Sequence, residues 1–118
     1  MKASLDHIQL AIPEGGEAAC REFWVHLVGL AEIEKPPALR ARGGLWLALN
    51  GAEIHLGVEA GFAPAKKAHP GISVDAIDAL AQRLGDAGLE LTWDDAISGR
   101  KRFFTQDPFG NRLEFLEG

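Results

Sequence analysis

Apolar and polar positions alternate with a period of two at both ends of this chain, and with a helical period in between. Along Leu5–Pro13, Ile8, Leu10 and Ile12 fall on one side and His7, Gln9 and Ala11 on the other, which predicts a half-buried strand. Pro13 and the Gly15–Gly16 pair end it. Residues 17–30 switch to helical spacing, with Ala19, Phe23, His26 or Leu27, and Leu30 recurring every three to four positions and Gly29 as the stop. A short strand over 31–35 is cut by Pro36–Pro37, and a basic, turn-prone loop runs to Gly44. Two strands follow, 44–50 and 52–59, joined across Asn50–Gly51, a hairpin signal. After a linker the order recurs. A strand is predicted over 68–74, then an amphipathic helix over 75–88 with Asp75 as N-cap and Ile77, Leu80, Ala81 and Leu84 inward. A strand over 89–93, a loop, and a closing hairpin of 100–106 and 111–117 complete it. Its turn, Asp107–Pro108–Phe109–Gly110–Asn111, combines a fixed φ with two residues that tolerate positive φ.

The order strand–helix–three strands thus occurs twice, a duplication weak in residue identity but consistent in sequence of elements. Gly51 aligns with Gly110, Ile54 with Leu113, His55 with Glu114, and Leu56 with Phe115. At the first strands His7 aligns with His69, and Leu10 with Ile72. The predicted fold is α+β, two tandem βαβββ modules of about residues 1–60 and 66–118 making up a 118-residue chain, with the helices on the outer face.

Composition narrows the function. Hydrophobic residues are 47% and charged residues 25%, as in folded globular chains. A net charge of −5 argues against a nucleic-acid surface. No apolar run approaches the ~18 residues of a membrane span, and the N-terminus carries no apolar signal region. Cys20 is the one cysteine, so no internal disulfide forms; it is expected to be a packed helix residue. A cytoplasmic location is expected.

The duplication brings the chemistry into view. His7, His55, His69 and Glu114 occupy equivalent strand positions, each opposite the apolar residues that cover the helices. Three imidazoles and a carboxylate on one face suit a divalent first-row ion. By the same parity Trp46 and Phe104 are candidate walls of a ligand cleft, with Gln9 beside His7, and Arg102 or Arg112 as a receiver for an anionic group. Trp93 is a candidate edge or subunit contact. Segments 40–44 and 99–102 are basic loops able to cover a site.

The segments "LDHIQLAI", "FWVHLVGL", "HPGISVDAIDAL" and "DPFGNRLEFLE" resemble the vicinal-oxygen-chelate superfamily, and the resemblance spans nearly the whole chain. That superfamily includes glyoxalase I, fosfomycin-resistance thiol transferases, extradiol dioxygenases and bleomycin-resistance proteins. The resemblance implies paired βαβββ modules around a cup-shaped site. It implies metal ligands at His7, His69 and Glu114, with a fourth at His55 as in glyoxalase-like members, and assembly as a homodimer. The departures are specific. Glyoxalase I carries glutamates at both last-strand positions, whereas this chain has His55 at one, leaving Glu114 as the sole carboxylate for proton transfer. The chain has no Tyr, which extradiol dioxygenases use beside the metal, and Gln9 stands where fosfomycin-resistance proteins have Thr. Bleomycin-resistance proteins hold no metal.

The expectation is therefore a metal-dependent small-molecule enzyme. A divalent ion (Zn, Ni, Mn or Fe) acts as Lewis acid on two adjacent oxygens of an anionic substrate, with Glu114 as catalytic residue. Isomerase or lyase chemistry comes first, and thiol transfer to an epoxide second. The contrasting expectation is a metal-free drug- or metabolite-binding protein of the bleomycin-resistance kind.

Overall fold

A computed structural model describes all 118 residues. The chain divides into two units, Met1–Ala63 and Pro64–Gly118, and each is built on a four-stranded mixed sheet. In the first unit the strands are β1 (His7–Ile12), β2 (Ala31–Ile33), β3 (Leu45–Ala48) and β4 (Glu53–Val58). Their order across the sheet is β1-β4-β3-β2, with β1 parallel to β4 and the rest antiparallel. A parallel neighbour needs a long crossover, and the helix after β1 begins that path. In the second unit β5 (Gly71–Val74), β6 (Thr92–Trp93), β7 (Arg102–Gln106) and β8 (Arg112–Glu117) repeat the arrangement as β5-β8-β7-β6. Both units are βαβββ modules, the order predicted from the hydrophobic pattern. No helix is long and apolar enough to cross a membrane.

The register reproduces the duplication at the level of single residues. His55 is flanked across the sheet by Gln9 of β1 and Trp46 of β3. Glu114 is flanked by Gly71 of β5 and Phe104 of β7. The buried faces are those the alternation predicts: Leu10, Ile12, Leu45, Leu47, Ile54 and Leu56 in one unit, Ile72, Phe103, Leu113 and Phe115 in the other.

Three local expectations are corrected. The first helix, α1 (Glu17–Cys20), continues as wide π turns over Arg21–Val28 and not as a regular α-helix. Widening changes which residues face inward: Cys20, Phe23, Trp24 and Val28 are buried, while Ala19 is exposed. Gly29, at φ 97°, ends it with Leu30 N–H donating to the Trp24 carbonyl at 2.9 Å. The second helix, α2 (Ile77–Asp86), starts after Ala76 with no side-chain cap, so Asp75 is not its N-cap. The strand predicted over 68–74 begins only at Gly71. Pro70 has no N–H to give a ladder, and its carbonyl instead accepts from Glu114 N–H at 3.1 Å. His69 therefore sits on the approach to β5.

Candidate functional site

The turn that delivers Glu114 is a small hydrogen-bonded block. Asp107 is buried, and its carboxylate accepts from Phe109 N–H and Asn111 N–H at 2.9 Å and from Asn111 Nδ2 at 2.8 Å. Asn111 Oδ1 in turn accepts from Ala65 N–H at 2.9 Å, and the Ala65 carbonyl accepts from Arg112 N–H at 2.8 Å. Gly110 supplies the positive φ of 93°. With Asp107 wholly occupied by this turn, its role is to set where β8 starts and to tie that point to the chain entering β5.

Two residues into β8, Glu114 is 8% exposed and both its oxygens are held. Oε1 lies 3.0 Å from His69 Nε2, and Oε2 accepts from Arg102 Nη1 at 2.9 Å. Arg102 also pairs with Asp94 at 3.1 Å. Burial raises the pKa of Glu114, but the hydrogen bonds and charges of Arg102 and His69 outweigh it and hold the carboxyl below its ordinary range. Phe104 closes one side, with His69 edge-on at 5.5 Å and the Arg112 guanidinium 4.2 Å over its ring.

The geometry at His69 can be tested against a metal ion. Its Nδ1 lies 2.9 Å from the Lys67 carbonyl, which places the proton on Nδ1 and leaves Nε2 as the lone-pair nitrogen. That nitrogen faces a carboxylate oxygen 3.0 Å away. Two acceptors at this distance need a cation between them, either a second ring proton or a metal ion. The His69–Glu114 pair therefore fits a divalent ion, complete with the backbone carbonyl that orients the imidazole.

In the first unit His7, His55 and Trp46 form a stack. His55 lies 3.8 Å from Trp46 with the rings 2° from parallel, and 4.0 Å from His7 at 15°. His55 Nε2 is 2.9 Å from Glu53 Oε1, and His7 Nδ1 is 2.7 Å from Asp6 Oδ2. Imidazole lone pairs lie in the ring plane, so two parallel rings 4.0 Å apart do not point at one ion. Joint ligation needs one ring to turn, and the His7 side chain, 43% exposed, has room to do so. Gln9, Trp46, His7 and His55 line a cavity of ≈ 400 Å³ with Lys35 and Arg42. Its far wall is the 3-10 turn Pro37–Arg42, held by Lys35 Nζ on the Gly43 carbonyl and by Gly44 N–H on Glu17 Oε2 at 2.9 Å.

The sequence candidates thus gather as two groups: His7, Gln9, Trp46 and His55 in one unit; His69, Arg102, Phe104 and Glu114 in the other. Within neither unit do three or more His, Cys, Asp or Glu side chains gather as a metal-binding cluster. Arg102 is engaged by two carboxylates and does not present the open guanidinium expected of an anion receiver. Asp94 and Glu53 were missed as partners. Asp94 carried no signal, since it reads as loop, whereas strand parity puts Glu53 on the face of His55 without showing that the two side chains meet.

The profile of the Glyoxalase/Bleomycin resistance protein/Dioxygenase superfamily matches residues 4–115. Among solved structures the chain is similar to a protein of Bacillus anthracis assigned to the glyoxalase family, at 44% identity and a TM-score of 0.95, covering 100% of this chain and 97% of that one. A lactoylglutathione lyase from Agrobacterium tumefaciens superposes with a TM-score of 0.75 at 17% identity, covering 99% and 95%. An antibiotic-binding protein from a Streptomyces species does so with a TM-score of 0.75 at 19% identity, covering 99% and 98%. At those lower identities the likeness is one of fold. No curated protein sequence matches.

Proposed function

The chain belongs to the Glyoxalase/Bleomycin resistance protein/Dioxygenase superfamily, and from that premise we propose that it is a metal-dependent enzyme acting on a small molecule. The observation that carries the reading is the His69 Nε2–Glu114 Oε1 contact of 3.0 Å with Nδ1 committed to a backbone carbonyl. His69 and Glu114 are the ligand pair of the second unit, and His7 and His55 the ligand-type pair of the first. When bound, a divalent ion supplies Lewis acidity toward two neighbouring substrate oxygens. Arg102 holds Glu114 ionised and fixed at Oε2, and Glu114 is the one carboxylate of the candidate set able to receive or return a proton. Phe104 and the Trp46–His55 stack exclude water from the faces they cover, and Gln9 offers an amide to a polar substrate group. Isomerase or lyase chemistry is the first choice and thiol transfer to an epoxide the second. The setting we propose is a cytoplasmic homodimer.

A second reading is favoured by one observation. Both oxygens of Glu114 already have protein partners, as a metal-free binding protein would need. Metal analysis of the purified, reloaded chain separates the two. The enzyme reading expects close to one ion per site, lost in His69→Ala and Glu114→Gln. Absence of stoichiometric metal after loading with Zn²⁺, Ni²⁺, Mn²⁺ and Fe²⁺ in turn would leave the binding-protein reading standing.

A further inference from the structure

The second unit has a cavity of ≈ 460 Å³ beside the His69–Glu114 pair, lined in part by Lys66, Thr92, Phe104, Gln106 and Arg112. The volume is that of a small-ligand pocket, typically about 300–1,000 Å³. The register explains its lining. Gln106 pairs with Arg112 across β7 and β8, and Thr92 pairs with Phe104 across β6 and β7. Phe104 and Gln106, two residues apart, share a face, as do Arg112 and Glu114. The cavity wall is thus the same sheet face that bears Glu114, two residues back along the strand.

Its charge is unusual for this chain. Acidic residues outnumber basic ones, 17 to 12, and the cations that pair with a carboxylate are Arg21 with Glu32, Arg40 with Glu34, Lys101 with Asp78, and Arg102 with Asp94 and Glu114. Arg112 has none. Its guanidinium lies instead over the Phe104 ring. Stacking of that kind uses the flat face of the group and leaves its N–H edge to bind a two-oxygen anion. Lys66 adds a second, exposed cation, and Thr92 and Gln106 add neutral donors. The acids in the lining are Asp107, spent on its own turn, and Glu90 at the surface.

We propose that this cavity is an oxyanion pocket, in which Arg112, preset by Phe104 and assisted by Lys66, receives a carboxylate or phosphate group of a small organic ligand. Arg112, not Arg102, is then the anion receiver of the chain. The inference builds on the small-molecule reading above, because it makes this group the anchoring end of the molecule that reacts beside Glu114.

The test is a ¹⁵N–¹H NMR titration of the full chain, stripped of metal with EDTA, with inorganic phosphate and with benzoate at constant ionic strength. Saturable shifts are expected at Lys66, Thr92, Gln106 and Arg112. Arg112→Gln is expected to weaken binding at least about tenfold, the loss of one bidentate charged contact. Arg112→Lys, which keeps the charge but not the fork, should fall between, and Arg83→Gln on α2 should bind like the parent. Tighter benzoate assigns a carboxylate on a planar body, and tighter phosphate assigns a phosphoryl group. Shifts that do not saturate, or that persist unchanged in Arg112→Gln, overturn the proposal. Because the protein is metal-free, the result is independent of metal analysis. Anion binding without metal loading sinks the enzyme reading alone, and metal loading without anion binding sinks this one alone.

Discussion

Asn111→Asp changes almost no volume and should nevertheless be among the most damaging substitutions in the chain. Asn111 is 1% exposed and Asp107 5%. The amide Nδ2 donates to Asp107 Oδ2 at 2.8 Å. Replacing that nitrogen by a carboxylate oxygen puts two buried anions in contact. At an effective dielectric of about 20, unit charges about 4 Å apart repel by ~4 kcal/mol, and the lost hydrogen bond adds about 1 kcal/mol. Protonation relieves the repulsion and restores an O–H donor. The folded pair therefore has one carboxyl raised above its unfolded value of about 3.9. For a raised acid, stability is greatest below the unfolded value and falls as pH rises through the folded one. Urea unfolding of parent and variant at pH 5 and pH 8 tests this. The expected loss is about 5 kcal/mol at pH 8, shrinking by at least ~2 kcal/mol at pH 5. Asn111→Ala should lose about 2–3 kcal/mol at both. A loss for Asn111→Asp under 1 kcal/mol at pH 8, or one equal at the two pH values, would refute the argument.

Other outcomes follow from the same geometry. Gly44→Ala should be far worse than Gly51→Ala, although both have φ near 80°. A Cβ at Gly44 meets the Leu56 carbonyl oxygen at 2.0 Å, whereas nothing lies within 4 Å at Gly51. About 1 kcal/mol is expected at Gly51 and several at Gly44, by thermal or urea unfolding. The carboxyl of Glu17 is lowered, chiefly by the Gly44 N–H, so its stabilisation is full above the unfolded value of about 4.3 and is lost as pH falls through the folded one. Glu17→Gln should flatten that acid branch of a stability–pH curve, and an unchanged branch would contradict the contact. Arg102→Gln removes the main group that lowers Glu114. The Glu114 titration followed by ¹³C NMR should move to higher pH, and acid unfolding with it.

The fold was largely written in the chain because its signals are local. Alternation at His7–Ile12 and Arg112–Glu117, the punctuation of Pro13, Gly29 and Gly110, and the repeated order of elements all act within a few residues of themselves. They suffice for two βαβββ modules and for the pairing of His55 with Glu114 in the duplication. The errors came where a neighbour in space decides. Whether residues 21–28 coil as α or π turns depends on how Cys20, Phe23 and Trp24 pack. The start of β5 depends on Pro70 having no N–H to contribute to the ladder with β8.

The site divides the same way. Residue types and strand parity nominate His7, His55 and Glu114 as candidates on one strand face each, because a strand's period of two is a property of the backbone, whereas His69 lies ahead of β5, where parity does not reach. Parity does not say which charge meets which. Arg102 and Arg112 look alike in sequence: each opens a strand of the closing hairpin and precedes an apolar residue. Only the tertiary structure brings Asp94 and Glu114 to Arg102 and lays Arg112 over Phe104. Side-chain partnership depends on distances between residues far apart in the chain, and those exist only once the sheet has formed.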